Sequence, residues 1–213
     1  MSRSWIACAA AAVFATTLLP ISSASVQGTV AASSVATVID GTAGPDRMLG
    51  TKHHDVMFGK TGDDLLRGHG GHDHLVAGWG DDRVYGGPGR DDMEGQRGDD
   101  YYNGGPGNDQ VASGGDAFHH GYGNDREVGG LGSDLLYGEA GNDFLWGGPG
   151  NDTLKPGPGH DVAYGGAGDD ELVLVPDHAE DVINCGPGHD LVGYFLARPA
   201  NDRFISCERI KAI

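Results

Sequence analysis

Apolar side chains recur along this chain every nine residues. Eight rows of nine run from Gly41 to Ala112, and six more run from His120 to Val173. The eighth position holds Met48, Met57, Leu66, Leu75, Val84, Met93, Tyr102 and Val111 in the first block. Leu136, Leu145, Leu154, Ala163 and Leu172 hold it in the second, where Glu127 is the exception. A helix buries residues three and four apart, and a half-buried strand buries every second one. A nine-residue period therefore describes a repeated unit. Within a row, the seventh to ninth residues read outward, inward, outward, as a very short strand does. Glycine stands first in 11 of the 14 rows and fourth in 13, with His53 the exception. That stretch must turn, and glycine takes left-handed backbone angles without steric cost. The fifth residue is often Asn, Asp or His (Asn108, Asn124, Asn142, Asn151, Asp63, Asp81, Asp99), types that tolerate such angles.

The predicted architecture is an all-β solenoid over 41–173. Two rows, 18 residues, make one turn, and odd and even rows build two facing parallel sheets. Residues 25–40 read as a linker or the start of the coil. The seven residues 113–119 fit two descriptions, a surface loop or a row shortened by two with Asp116 and Phe118 in register. Past Val173 the rows loosen, yet Asp181 with Ile183 and Asp190 with Val192 keep the two slots. Residues 174–213 read as degenerate repeats and a C-terminal cap.

The sixth position carries the candidate chemistry. It is Asp in all 14 rows: Asp46, Asp55, Asp64, Asp73, Asp82, Asp91, Asp100, Asp109, Asp125, Asp134, Asp143, Asp152, Asp161 and Asp170. A fixed phase stacks them in columns along both edges. Adjacent turns lie about 4.8 Å apart, so like charges face one another at strand spacing. A cation must sit between them. Calcium takes six to eight oxygens, which carboxylates and turn carbonyls supply, whereas magnesium demands a tighter octahedron. No thiolate cluster suggests zinc. Asp55 is a weaker ligand because His53 replaces the turn glycine, and Asp125 because Glu127 occupies the core slot.

Composition narrows the function further. The 39 glycines are not at every third residue, which excludes collagen. A net charge of -17, from 31 acids and 14 bases, excludes a nucleic-acid footprint. Met1 to Ala24 reads as a secretory signal peptide, with cleavage after Ala24 or near Ala32. Its apolar run is short for a membrane span, and Cys8 leaves with it. Cys185 and Cys207 remain, and an even pair in an exported chain points to a disulfide. No metalloprotease helix, serine elbow or phosphate loop is present, so no enzyme is expected. The histidines at 53–54, 69, 72, 74 and 119–120 read as polar occupants of turn and outward slots rather than a transition-metal site. Aromatics at the ninth position (Phe58, Tyr85, Tyr137, Trp146, Tyr164) point outward and are candidates for a sugar- or partner-binding face.

The row Gly147-Gly148-Pro149-Gly150-Asn151-Asp152-Thr153-Leu154-Lys155, and 13 others in phase, follow G-G-x-G-x-D-x-U-x with U apolar. The chain thereby resembles the RTX, or hemolysin-type, calcium-binding repeat proteins over about 150 residues. The resemblance implies a right-handed parallel β-roll. Each calcium would lie between one turn and the next, ligated by Asp side chains and turn carbonyls. Pro88, Pro106, Pro149, Pro158 and Pro187 at the third position suit carbonyl ligation. Counted within the two blocks, eight rows leave six intervals and six rows leave four; ten ions carry +20 against -17. The resulting expectation is a secreted, extracellular protein that folds on binding several Ca2+ ions. The alternative is an extracellular adhesion or polysaccharide-binding module that uses the calcium-stabilised roll as a scaffold, with a cell-surface or polysaccharide partner.

Overall fold

A computed structural model describes residues 37–112, 122–194 and 201–212. The signal-peptide reading of residues 1–24 and the two descriptions of 113–119 fall outside them. The described chain contains no helix and coils into a solenoid whose strands alternate between two wholly parallel sheets. The ten-stranded sheet orders Val38–Asp40, Val56–Thr61, His74–Trp79, Asp92–Arg97, Gln110–Ala112, Leu135–Tyr137, Thr153–Lys155, Glu171–Leu174, Leu191–Tyr194 and Arg209–Ala212. The nine-stranded sheet orders Arg47–Leu49, Leu65–Arg67, Arg83–Tyr85, Tyr101–Pro106, Arg126–Leu131, Phe144–Pro149, Val162–Ala167, Val182–Asn184 and Arg203–Ile205.

Register follows the nine-residue row. Met57 lies opposite Leu75, and Leu75 opposite Met93. Every eighth-position residue from Met48 to Val192 is buried, while its two neighbours remain partly or fully exposed, except that Gly193 beside Val192 is buried too. One inward side chain per strand, joined by Ala77, Leu174 and Cys185, makes a thin core between the sheets. Several strands are longer than three residues. Tyr101–Pro106 continues through the first three residues of the next row, because those stay paired, as in the Gly87 N–H to Gly104 carbonyl bond of 2.8 Å.

The turn chemistry differs from the expectation at one position. Left-handed angles fall on the second and fourth residues of the row, as at Gly87 and Gly89. No fifth-position residue has a positive φ. The preference for Asn, Asp and His there has another cause. The side chain accepts the backbone N–H of the fifth-position residue in a neighbouring turn, as in Asn142 to Asn124 Oδ1 at 2.9 Å. His54 and His72 do the same through Nδ1, which accepts the N–H of His72 (3.1 Å) and Arg90 (2.8 Å). These residues are short acceptors that staple exposed turns together.

Tyr101 pairs with Arg126 and Gln110 with Leu135, so strands on either side of 113–119 neighbour each other as if their rows were consecutive. Cys185 and Cys207 form a disulfide with Cα atoms 5.1 Å apart. Closing a loop of 22 residues contributes about 3 kcal/mol in the chain-entropy account. It ties the row that starts at Cys185 to the final turn.

Glu127 is the misfit in the core. It is fully buried between Tyr102 and Leu145 on neighbouring strands, and neither carboxyl oxygen has a hydrogen-bond partner. Burial, then the nearby Asp125 and Asp143 charges, push its carboxyl well above the usual range. An unpartnered buried acceptor costs about 1–3 kcal/mol. Glu127→Leu is therefore expected to stabilise the calcium-loaded protein by about 1–3 kcal/mol. Leu145→Ala beside it should destabilise by about 2–5 kcal/mol. Thermal unfolding of both variants in calcium checks the two signs.

Candidate metal centres in two aspartate columns

The alternation of rows places the sixth-position aspartates on two edges. One column runs through Asp46, Asp64, Asp82, Asp100, Asp125, Asp143, Asp161 and Asp181 and ends at Asp202. The other runs through Asp55, Asp73, Asp91, Asp109, Asp134, Asp152, Asp170 and Asp190. In each step, Oδ1 of one Asp accepts the backbone N–H of the Asp one turn earlier. The Asp73 N–H to Asp91 Oδ1 bond is 2.8 Å, and the Asp82 N–H to Asp100 Oδ1 bond is also 2.8 Å. All 14 aspartates of the regular rows are buried, none more than 3% exposed.

Both columns continue across 113–119, through Asp100 to Asp125 and Asp109 to Asp134. The expectation of two separate blocks with ten intervals is thus corrected. Each column is continuous, so the 14 regular rows offer 12 intervals. The looser rows extend them further, because Asp181, Asp190 and Asp202 take column positions. Glu208 occupies the equivalent place after Asp190, since Arg209 pairs with Leu191, and its carboxylate meets His189 Nδ1 at 3.1 Å. Asp202 escapes the nine-residue count because its turn lengthens to 21 residues, whereas Glu208 follows Asp190 by the regular 18 with Glu in place of Asp. The Asp-x-apolar triplet Asp202-Arg203-Phe204 was the available signal.

The second carboxylate oxygen has a different environment. In Asp64, Asp73, Asp82, Asp91, Asp109, Asp134, Asp143, Asp152, Asp161, Asp170 and Asp190, Oδ2 is buried without a hydrogen-bond partner. It faces a small space on the inner side of the turn. Gly86 shows why the first position is glycine. A Cβ there would strike Asp91 Oδ2 and lie 2.8 Å from the carbonyl oxygen of Gly104 one turn on. Where the first residue is glycine, as at Gly68, Gly86, Gly129 and Gly147, a side-chain oxygen and a backbone oxygen from successive turns therefore converge beside it. An unpartnered, buried, all-oxygen set suits a hard divalent cation and offers nothing to a soft one.

Four regular rows depart from that pattern, those of Asp46, Asp55, Asp100 and Asp125. Asp46 Oδ2 accepts the Thr42 hydroxyl at 3.0 Å, and Asp55 Oδ2 accepts the Thr51 N–H at 2.5 Å. Asp100 Oδ2 accepts the Tyr102 hydroxyl at 2.9 Å. The first row of each column is thus partly self-satisfied, and Tyr102 does the same mid-column because its ring fills a slot that aliphatics fill elsewhere. Of the histidines, His74 lies with Asp92 and Glu94 on the outer face of the ten-stranded sheet, their ligand atoms within 4.8 Å of one another. His54 and His72 serve the turn ladder described above.

The RTX calcium-binding nonapeptide repeat model matches residues 36–66, 49–84, 58–93, 76–111, 121–154 and 157–174, more than half of the chain. The protein belongs to the RTX calcium-binding repeat family. No curated protein matches the chain. Membership makes this a calcium-binding β-roll, and the converging oxygens along its edges fit calcium.

Without the ion, the RTX columns hold their protons tightly. Asp100 and Asp143 are pushed up to about 8, and Asp73, Asp82, Asp109 and Asp161 to about 7. Asp64, Asp134, Asp152 and Asp170 rise to about 6. Loss of water is the main cause in each; the N–H bond from the preceding turn opposes it. Neighbouring carboxylates then raise most of them further. The unfolded chain ionises near 3.8. A raised folded value contributes stability that is full below about 4 and lost as pH rises through 6 to 8. Calcium-free protein is therefore expected to show its strongest sheet signal near pH 4 and its weakest near pH 8. Calcium reverses the order, since only ionised carboxylates bind it. Circular dichroism against pH, with and without calcium, checks this; loss of structure on acidifying the calcium-free protein contradicts it.

Proposed function

We propose that the protein is a secreted RTX β-roll in which the 14 column aspartates are calcium ligands and calcium binding completes folding. The observation that carries this reading is the repeated, buried, unpartnered Oδ2 set against a carbonyl oxygen of the next turn. Asp64, Asp73, Asp91, Asp109, Asp134, Asp143, Asp152 and Asp170 have this arrangement in full, and Asp82 and Asp161 share the unpartnered Oδ2 in rows that begin with Ala77 and Pro156. Asp46, Asp55 and Asp100 ligate after releasing the Thr42, Thr51 and Tyr102 donors. Asp125 stands in the same column between Asp100 and Asp143.

Calcium supplies compensating charge and pulls oxygens of adjacent turns together. The chain supplies the rest. Oδ1 sets the vertical spacing, glycine at the first position leaves room beside the carboxylate, and the eighth-position side chains close the interior to water. At neutral pH the ion-free columns bring ionised carboxylates together in a dehydrated edge, which opposes closure. A thin core of side chains is a small counterweight to ordering a glycine-rich backbone. The roll then stays open where calcium is scarce and closes in calcium-rich extracellular fluid.

Asp91→Asn separates the two jobs of the side chain. The amide oxygen keeps the acceptor for the Asp73 N–H, while the charge is lost. The expected outcome is a calcium midpoint raised by about tenfold or more, the scale on which changed metal ligation is felt, with little change in final sheet content. Calcium titration read by circular dichroism and calorimetry measures it. Full sheet content at neutral pH in calcium-free buffer, or an unmoved midpoint in the variant, contradicts the reading.

A further inference from the structure

The outer face of the nine-stranded sheet is unlike the rest of this acidic molecule. None of its outward seventh and ninth positions carries Asp or Glu. Five carry arginine: Arg47, Arg67, Arg83, Arg126 and Arg203, all exposed. Five carry aromatic rings: Tyr85, Tyr101, Phe144, Trp146 and Tyr164. The opposite, ten-stranded face places Asp40, Asp92, Glu94 and Glu171 at equivalent positions. Thus, on a chain of net charge -17, one face has been cleared of acids.

The arrangement along the axis is ordered. At the seventh position, six successive turns read Arg47, Leu65, Arg83, Tyr101, Arg126 and Phe144, each paired directly with the next. Cation and apolar surface alternate, with arginines two turns, about 10 Å, apart. The guanidinium of Arg126 lies 4.4 Å from the Phe144 ring centre, and that of Arg67 lies 5.1 Å from the Tyr85 ring centre. These contacts fix the forks in place. At the ninth position, Trp146 and Tyr164 pair on adjacent turns and are exposed. Trp146 also borders an apolar groove with Pro106, Leu131 and Pro149.

We propose that this face binds an acidic polysaccharide lying along the solenoid axis, with a carboxylate on alternate sugar units. Charge complementarity selects an anion, and the fork of each arginine matches a carboxylate. The turn spacing, about 4.8 Å, is close to the rise of one sugar in an extended chain. An alternating uronate polymer therefore presents one carboxylate per arginine and one ring face per intervening apolar side chain. A lipid surface fits less well, because membrane docking needs apolar side chains that project beyond the headgroups. Here the rings in and beside the arginine row, Tyr85, Tyr101 and Phe144, are half-buried, and a vesicle probe tests whether the more exposed Trp146 and Tyr164 reach a membrane. The proposal rests on the calcium reading in one respect: the edge columns must be neutralised before a polyanion can approach.

The test is binding of the full-length protein to hyaluronan, an alternating uronate polymer, in calcium buffer. Neutral dextran and phosphatidylserine vesicles serve as competing probes. Hyaluronan is expected to bind and dextran not to bind. Arg83→Gln with Arg126→Gln should weaken binding at least about tenfold, since two charge-assisted bonds are lost. Trp146→Ala should weaken it severalfold, while Arg209→Gln on the other sheet leaves it unchanged. Calcium-induced folding of each variant is read on the same samples by circular dichroism. Absent hyaluronan binding by calcium-folded protein overturns the proposal, as does equal binding of dextran or an unaffected double variant. Vesicle binding without hyaluronan binding also overturns it and assigns the face to a membrane. If calcium leaves the chain unchanged, the calcium reading fails by itself, and hyaluronan binding still decides the role of this face.

Discussion

Each column aspartate divides its carboxylate between two demands. Oδ1 holds the N–H of the aspartate one turn away, and in most turns Oδ2 is left buried beside a carbonyl oxygen of the following turn. The first contact sets the pitch of the coil; the second makes that pitch costly without a cation. Most other features follow from this pair. Glycine is favoured at the first position because a Cβ at Gly86 would crowd the Asp91 carboxylate and the Gly104 carbonyl oxygen, although Ala77, Pro156 and Cys185 stand there in other rows. The eighth must be apolar because it is the only inward side chain at the centre of the strand. The number of ordered turns depends on how far the columns can be extended and neutralised.

The period, the two-sheet coil, the buried column and the disulfide pair were all legible in the sequence, because each is a fixed position in a row. What was hidden depends on pairing between rows. Asp100 reaches Asp125 across 25 positions, an offset no nine-residue count contains. Asp202 is a column member because Arg203 pairs with Val182 across a turn of 21 residues, and Glu208 keeps the regular spacing from Asp190 but breaks the Asp pattern. The fifth-position residues were assigned to left-handed angles on propensity alone. Their actual work is the acceptor ladder seen between Asn124 and Asn142, which requires knowing that turns stack. The Tyr102 hydroxyl on Asp100 was equally invisible, since an aromatic in an apolar column reads as core.

The fold also separates its tasks in space. Column aspartates stand on the edges, core residues point between the sheets, and the two outer faces are free of both obligations. Outward residues can therefore differ from row to row without disturbing the coil. The nine-stranded face has used that freedom to collect arginines and aromatics, while the ten-stranded face has retained acids. At the C-terminal end the regular glycine pattern fades, and the Cys185–Cys207 disulfide holds the last turn where longer turns weaken the stack. A covalent clamp there also limits fraying from the end at which the columns run out.

The most direct measurement of the central claim is anomalous diffraction from crystals grown in calcium. Two lines of calcium peaks are expected, one along each edge, spaced by one turn and flanked by column carboxylates and turn carbonyl oxygens. An ordered roll with those edge positions empty of calcium, or with its calcium bound elsewhere, would contradict the account.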